Sequence, residues 1–251
     1  MVRVSPKDSA KRAKLAMYRR LILEAAERVF AEHGFDDTKM QDIAQGAGIA
    51  LGTLYTVFPS KAEVYGAIQE QRGREVIEAI YGAIQGHDGV VDACARGIDA
   101  YVRTLAAKPR FLRMHLREGL SWTDPKTLRG EAEVATWERG MSLAVSLLQT
   151  GIERGFLHGD NRPEVLLKML VAAHQVQLQD WLDRGAQAAT IDVLIARMQQ
   201  HFLRAFVCAA AARPGRRPDT RLASVPASVP VRSTKSVKKR ASSGERLRQQ
   251  G

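Results

Sequence analysis

The stretch GFDDTKMQDIAQGAGIALGTLYTVFPSK, residues 34–61, decides how the chain is read. Its apolar residues recur at three- and four-residue steps, and its glycines fall where helices stop. Gly34 follows a helical run with Ile22, Ala26, Val29 and Phe30 along one face. A left-handed residue at that point ends the helix and lets Phe35 fold back onto the same face. Thr38 is placed as the N-cap of a second helix, with Asp42 in its first turn and Ile43, Ala44 and Ala47 as a narrow apolar side. Gly46-Ala47-Gly48 ends that helix after barely two turns. A third short helix over 50–57 carries Leu54 inward and stops at Phe58-Pro59. Two short helices about a glycine turn suggest a helix-turn-helix, although any helical corner can produce the same pattern.

Outward from this stretch, residues 15–212 show helical spacing almost throughout, with no long alternating runs of β-branched residues. Gly and Pro divide the span into about nine helices, and the fold class is all-α. After Lys61 a long helix is expected to about Ile84, then helices over 90–107, 109–119, 131–154, 163–184 and 190–211. The organisation is a basic flexible arm over 1–17, a helix-turn-helix unit over 18–64, a larger helical part over 65–212, and a disordered basic tail over 213–251 rich in Pro, Ser, Arg and Lys.

Charge follows that division. The chain of 251 residues carries a net +11, yet residues 1–20 hold seven Lys/Arg against Asp8, and residues 213–251 hold eleven against Asp219 and Glu245. The middle is therefore acidic by four charges. Cationic ends on a mildly acidic body can reach a polyanion, nucleic acid being the obvious one, or can simply keep the protein soluble. The longest apolar run, residues 205–212, is far short of the roughly 18 residues of a membrane span, and the N-terminus lacks the apolar stretch of a secretory signal. A cytoplasmic protein with no membrane partner is expected. Cys94 and Cys208 have no near neighbour of the C-x-x-C kind and read as core residues, with a disulfide between them disfavoured. No metal site, no cofactor and no catalytic constellation is expected: H-E-x-x-H, G-x-S-x-G, the phosphate loop and G-x-G-x-x-G are all absent.

The order and spacing of Gly34-Phe35, Thr38, Ile43-Ala44, Gly48-Ile49, Gly52-Thr53-Leu54-Tyr55 and Phe58-Pro59-Ser60-Lys61 resembles the tetracycline repressor (TetR) family over residues 18–66. The resemblance implies a transcriptional regulator, most often a repressor, that binds double-stranded DNA at a two-fold symmetric operator as a homodimer. It also implies that residues 65–212 form a ligand-binding and dimerisation domain, where a small-molecule effector releases the DNA. The equivalents of Thr38, Thr53, Tyr55 and Lys61 in the family commonly contact backbone or bases.

The residues support a DNA-facing helix on physical grounds as well. A major groove about 12 Å wide needs a slim helix with small and hydrogen-bonding residues on its leading face. Gly52 allows close approach, Thr53 and Thr56 offer hydroxyls and methyls, Leu51 can touch a thymine methyl, and Tyr55 can pack its ring while presenting a hydroxyl to a phosphate. Lys61 adds a cation at the start of the next helix. Two positions depart from the family: Ala50 removes a cap worth about 1 kcal/mol, and Thr56 replaces a larger residue.

Met114, His115, Trp122, Trp137 and His174 are candidates to line an effector pocket, being aromatic and polar groups within an apolar helical shell. A largely apolar effector is expected, since no charged cluster stands among them. Leu166, Met169, Leu170, Ala173 and Val176, with Ile191, Ile195, Met198, Phe202 and Phe206, make two apolar stripes suited to a four-helix dimer contact, or equally to an internal core. The competing reading is an architectural DNA binder that works nonspecifically through its basic ends and answers no ligand.

Overall fold

The computed structural model describes residues 6–86, 89–117 and 131–208. Nine α-helices and no β-strand occur among them: α1 (Pro6–Asp37), α2 (Met40–Gly46), α3 (Leu51–Val57), α4 (Lys61–Ile84), α5 (Val90–Ala106), α6 (Pro109–Arg117), α7 (Glu131–Glu153), α8 (Pro163–Asp183) and α9 (Ile191–Phe206). No helix among the described residues is long and apolar enough to cross a membrane.

The first helix corrects one expectation. Residues 6–17, read from sequence as a flexible arm, continue α1 back to Pro6. The segment contains Lys, Ala, Arg, Leu and Met without a glycine, places Pro6 at the first helical position and sets Asp8 against the positive end of the dipole. Residues 1–5 and the tail over 213–251 lie outside the described residues, as does the candidate Trp122.

At Gly34 the backbone turns to φ 82°, breaking α1 one turn before its end. Phe35 stacks 6.0 Å from Phe30, and the ring of Tyr65 meets both edge-on at 5.1 and 5.2 Å. Ile22, Ala26, Ile43 and Leu54 complete this small core with Val64 and Ile68 from the start of α4. The turn between α2 and α3 passes through Gly48 at φ 66°, a conformation that costs a side-chain-bearing residue about 1 kcal/mol or more.

Helix α4 is capped by Ser60, whose Oγ accepts from the Glu63 amide at 3.2 Å. It then runs unbroken out of the helix-turn-helix core and along α5 and α7 of the larger domain. The boundary expected at residue 64 therefore falls inside a continuous helix. Helix α6 also bridges the two parts, packing on both α1 and α5. A single antiparallel bridge between Leu157 and Val207, with His158 N donating to Phe206 O at 3.0 Å, ties the loop after α7 to the chain beyond α9.

The apolar stripe expected on α9 as a dimer contact is mostly internal. Ile195, Met198 and Phe202 are buried in the chain's own core, because α9 packs onto α5 with that face. The large apolar residues exposed on α8 and α9 are Met169, Val176, Val193 and Leu203.

Candidate functional site

In the helix-turn-helix unit, α3 presents one face inward and the other to solvent. Leu54 is fully buried and Leu51 half-buried against the core, while Gly52, Tyr55 and Thr56 are exposed. Tyr55 is 47% exposed, the largest such group on the helix. A Cβ added at Gly52 would meet nothing within 4 Å, so the fold does not demand glycine there. Thr53 is half-buried, and the Thr56 hydroxyl donates back to Gly52 O at 2.8 Å, leaving chiefly its methyl outward. Ala50 caps α3 without any side-chain hydrogen bond.

Two expected contacts are placed differently. Thr38 is 1% exposed, and its hydroxyl donates to Gly34 O at 2.6 Å. It stabilises the turn after α1, while Lys39 takes the N-cap position of α2 and its amide donates to the Asp42 carboxylate at 2.9 Å. The Lys61 ammonium reaches back from α4 to donate to Phe35 O at 2.6 Å and Asp36 O at 3.0 Å, 4.5 Å over the Phe35 ring. A cation is disfavoured at the start of a helix and favoured at a helix end. Lys61 accordingly reaches from the start of α4 to the carbonyls at the end of α1.

The larger domain contains two adjoining cavities of about 190 and 120 Å³. Ile80 of α4, Tyr101 of α5, Ala144 of α7 and Leu167 and Val171 of α8 contribute to both walls. His115 and Trp137 line the larger chamber and His174 the smaller, whereas Met114 is 2% exposed and belongs to the packed core. Its neighbour Phe111 takes the cavity face of α6 instead. Tyr101 lines both chambers and meets a histidine of each: its hydroxyl lies 3.2 Å from His115 Nε2, and its ring lies 6.1 Å from that of His174.

No Asp, Glu, Lys or Arg stands among the described residues lining either chamber. Burial holds the groups that could ionise in their neutral forms. It pushes His115 down to about 4 and, with a smaller contribution from His201, His174 to about 4 as well. The Cys94 thiol is pushed up to about 12, and the Tyr101 hydroxyl upward for the same reason. Three buried polar atoms of residues in the walls have no hydrogen-bond partner among the described residues: Thr136 Oγ1, Trp137 Nε1 and His174 Nε2.

Residues 22–68 match the family described as bacterial regulatory proteins, tetR family. The "Probable HTH-type transcriptional regulator ArpR" of Pseudomonas putida is 30% identical over 146 residues, 55% of this chain and 68% of its own length. The chain belongs to the TetR family. The HTH-type transcriptional repressor KstR2 of Mycobacterium tuberculosis is 27% identical over 156 residues, again 55% and 68% of the two lengths. In fold, this TetR-family regulator is similar to the fatty acid degradation regulator FadR from Bacillus halodurans, with a TM-score of 0.62 and 19% identity over 80% of this chain and 97% of that one.

Membership makes the chain a DNA-binding regulator of transcription, and in that light the contacts between its two parts become informative. Arg72 of α4 donates twice to Glu27 of α1, at 2.9 and 2.7 Å, and also to Glu75, which pairs with Lys108 at the junction of α5 and α6. Arg117 at the end of α6 donates to Glu32 O of α1 at 3.0 Å. Tyr101, Phe111 and Thr136 were not singled out from sequence. For Tyr101 a signal existed: with Cys94, Ile98 and Leu105 it keeps the three- and four-residue spacing of the apolar face of α5. Thr136 carries no such signal, since its burial depends on the approach of α7 to α4.

Proposed function

We propose that the protein is a homodimeric repressor that binds a two-fold symmetric operator through α3 and leaves it when a small, largely apolar molecule occupies the cavity of the larger domain. The observation that carries this reading is the continuity of α4. Its first turns, Val64 to Ile68, are sealed into the helix-turn-helix core, and its later residues Val76 and Ile80 wall the cavity. From Lys61 to Gly73 the helix covers roughly 18 Å at 1.5 Å per residue. A ligand that prefers one position of α4 therefore biases the position of α3, which is the differential affinity an effector needs. KstR2 is named a repressor, in support of the sign of regulation.

Gly52, Thr53, Tyr55 and the methyl of Thr56 form the DNA-facing surface in this reading, with Tyr55 on a phosphate. Leu51 supports the helix from below, and Thr38 and Lys61 act by holding the end of α1. The exposed Met169, Ala173 and Val176 of α8 with Val193 and Leu203 of α9 make the dimer face.

The test is selection of bound sequences from a random DNA pool by the full-length protein at physiological salt. Enrichment of a two-fold symmetric site is expected. Recovery of unselected DNA by folded protein would instead favour nonspecific binding through the basic ends, an interaction that weakens steeply with salt.

A further inference from the structure

We infer that the molecule taken into the cavity is uncharged and carries a hydrogen-bond acceptor of the carbonyl type, which engages Trp137 Nε1 and Thr136 Oγ1 on an otherwise apolar frame. This rests on the reading of the cavity as the effector site and adds the chemical class of its occupant.

The argument has two parts. The first concerns charge. A buried carboxylate or ammonium requires a partner of opposite sign, and the described walls offer none. The imidazoles of His115 and His174 stay neutral near pH 7 and supply no counter-charge. An ionic ligand would lose its hydration and recover little.

The second part concerns the unpaired polar atoms. Protein interiors pair almost every buried polar group, and each one left alone destabilises its surroundings. Two such atoms on successive residues of α7, both residues lining the larger chamber, are therefore informative. An indole N–H only donates, so its partner must accept. A hydroxyl also donates, and a carbonyl oxygen has two lone pairs to receive such bonds. Neither atom is bonded to the Tyr101–His115 pair, which is satisfied internally. In the smaller chamber His174 Nε2 offers a neutral polar position of its own.

The experiment uses full-length protein and three probes of one shape: naphthalene, 2-acetonaphthone and 2-naphthoate. The ketone and the carboxylate are nearly isosteric and differ in charge, while the hydrocarbon lacks the acceptor. Calorimetric titration should show the ketone binding on the order of tenfold or more tighter than the carboxylate, and several-fold tighter than the hydrocarbon. Trp137→Phe keeps an aromatic ring and removes the donor; it should bring the ketone down to the level of naphthalene and leave naphthalene unchanged. Thr136→Val is a second, near-isosteric variant expected to act in the same direction.

Equal binding of the carboxylate, an equal loss for ketone and hydrocarbon in both variants, or no binding of any probe at about 1 mM would each overturn the inference. Operator affinity measured beside these titrations separates the two levels. If the ketone binds with the expected selectivity and the operator is retained, release by an effector fails while the chemistry of the site stands. If the carboxylate releases the operator and the ketone does not, the inference falls and effector release stands.

Discussion

Replacing Gly52 by Ala should stabilise the protein and weaken its hold on DNA, two effects that normally travel together in the opposite sense. Gly52 is the second residue of α3, exposed, with no neighbour within 4 Å of the position a Cβ would take and no left-handed backbone to protect. In a helix interior Ala is preferred to Gly by about 1 kcal/mol. Near a helix start the gain is smaller, about 0.5 kcal/mol, which for a domain of this size raises Tm by roughly 1–2 °C. The Thr56 hydroxyl bonds to the backbone oxygen of residue 52 and is untouched by the change. The new methyl can meet something only outside the protein. If α3 lies in the major groove with this face leading, the methyl keeps the backbone from the duplex and operator affinity should fall on the order of tenfold, about 1.4 kcal/mol. Calorimetric unfolding and fluorescence anisotropy on the selected operator, at one salt concentration, measure the two effects. Raised Tm with unchanged affinity would refute the placement of this face on DNA, and lowered Tm would refute the claim that the fold leaves Gly52 free.

Lys61→Met should lower stability by about 1–2 kcal/mol through loss of charge-assisted bonds to two carbonyls, and urea unfolding without DNA present should already show the loss; intact stability with reduced DNA affinity would return Lys61 to a direct phosphate role. Tyr55→Phe retains the ring and removes the phenol, so binding should weaken several-fold on all DNA sequences alike while the melting temperature stays the same. His115 and His174 hold folded values of about 4 against about 6.5 in an unfolded chain. The unfolded state therefore takes up protons first, and stability that is complete above pH 6.5 falls by up to about 3 kcal/mol per group as pH drops toward 4; the urea midpoint followed over that window should flatten in His174→Phe, and a parallel curve would exclude it from the titration. A methyl at buried Gly151 would stand 2.6 and 2.8 Å from two carbons of Leu157, so Gly151→Ala should cost about 1–3 kcal/mol by overpacking, visible as a lower Tm with operator preference kept.

The helices were legible because their signals are local. Gly34, Gly48 and Pro59 mark ends that the chain respects, and the spacing of Ile22, Ala26 and Phe30 names the buried face of α1 without reference to anything else. The site was less legible because its geometry depends on contacts between distant residues. Thr38 has the right chemistry for a cap, yet Gly34 O lies within reach of its hydroxyl and takes it. Lys61 has the right charge for a phosphate, yet the end of α1, twenty-five and twenty-six residues away, presents two carbonyls in the same place. On α9 the apolar stripe is plain in the sequence, but whether it faces a partner or the chain's own core depends on how α5 meets it.

In the proposed scheme, these same long-range contacts are what an effector would have to overcome. The end of α1, on both sides of the break at Gly34, is held by cations from both helices that connect the DNA-facing unit to the cavity: Lys61 of α4 on Phe35 and Asp36, and Arg117 of α6 on Glu32. Helix α6 carries Phe111 and His115 into the cavity wall two to six residues before Arg117, so the cavity wall and the grip on α1 share one rigid turn-and-a-half of helix. A hundredfold loss of operator affinity requires about 2.7 kcal/mol of coupling. A hydrogen bond involving a charged group contributes about 1.5–3 kcal/mol when shielded and less when exposed, so loosening the Arg117 contact together with a small displacement of α4 is of the right size. A ligand that filled the chambers without moving either helix would bind both states equally and release nothing. A molecule larger than the cavities must displace their walls, and α4 and α6 are walls that also pack against α1 of the unit that reads DNA.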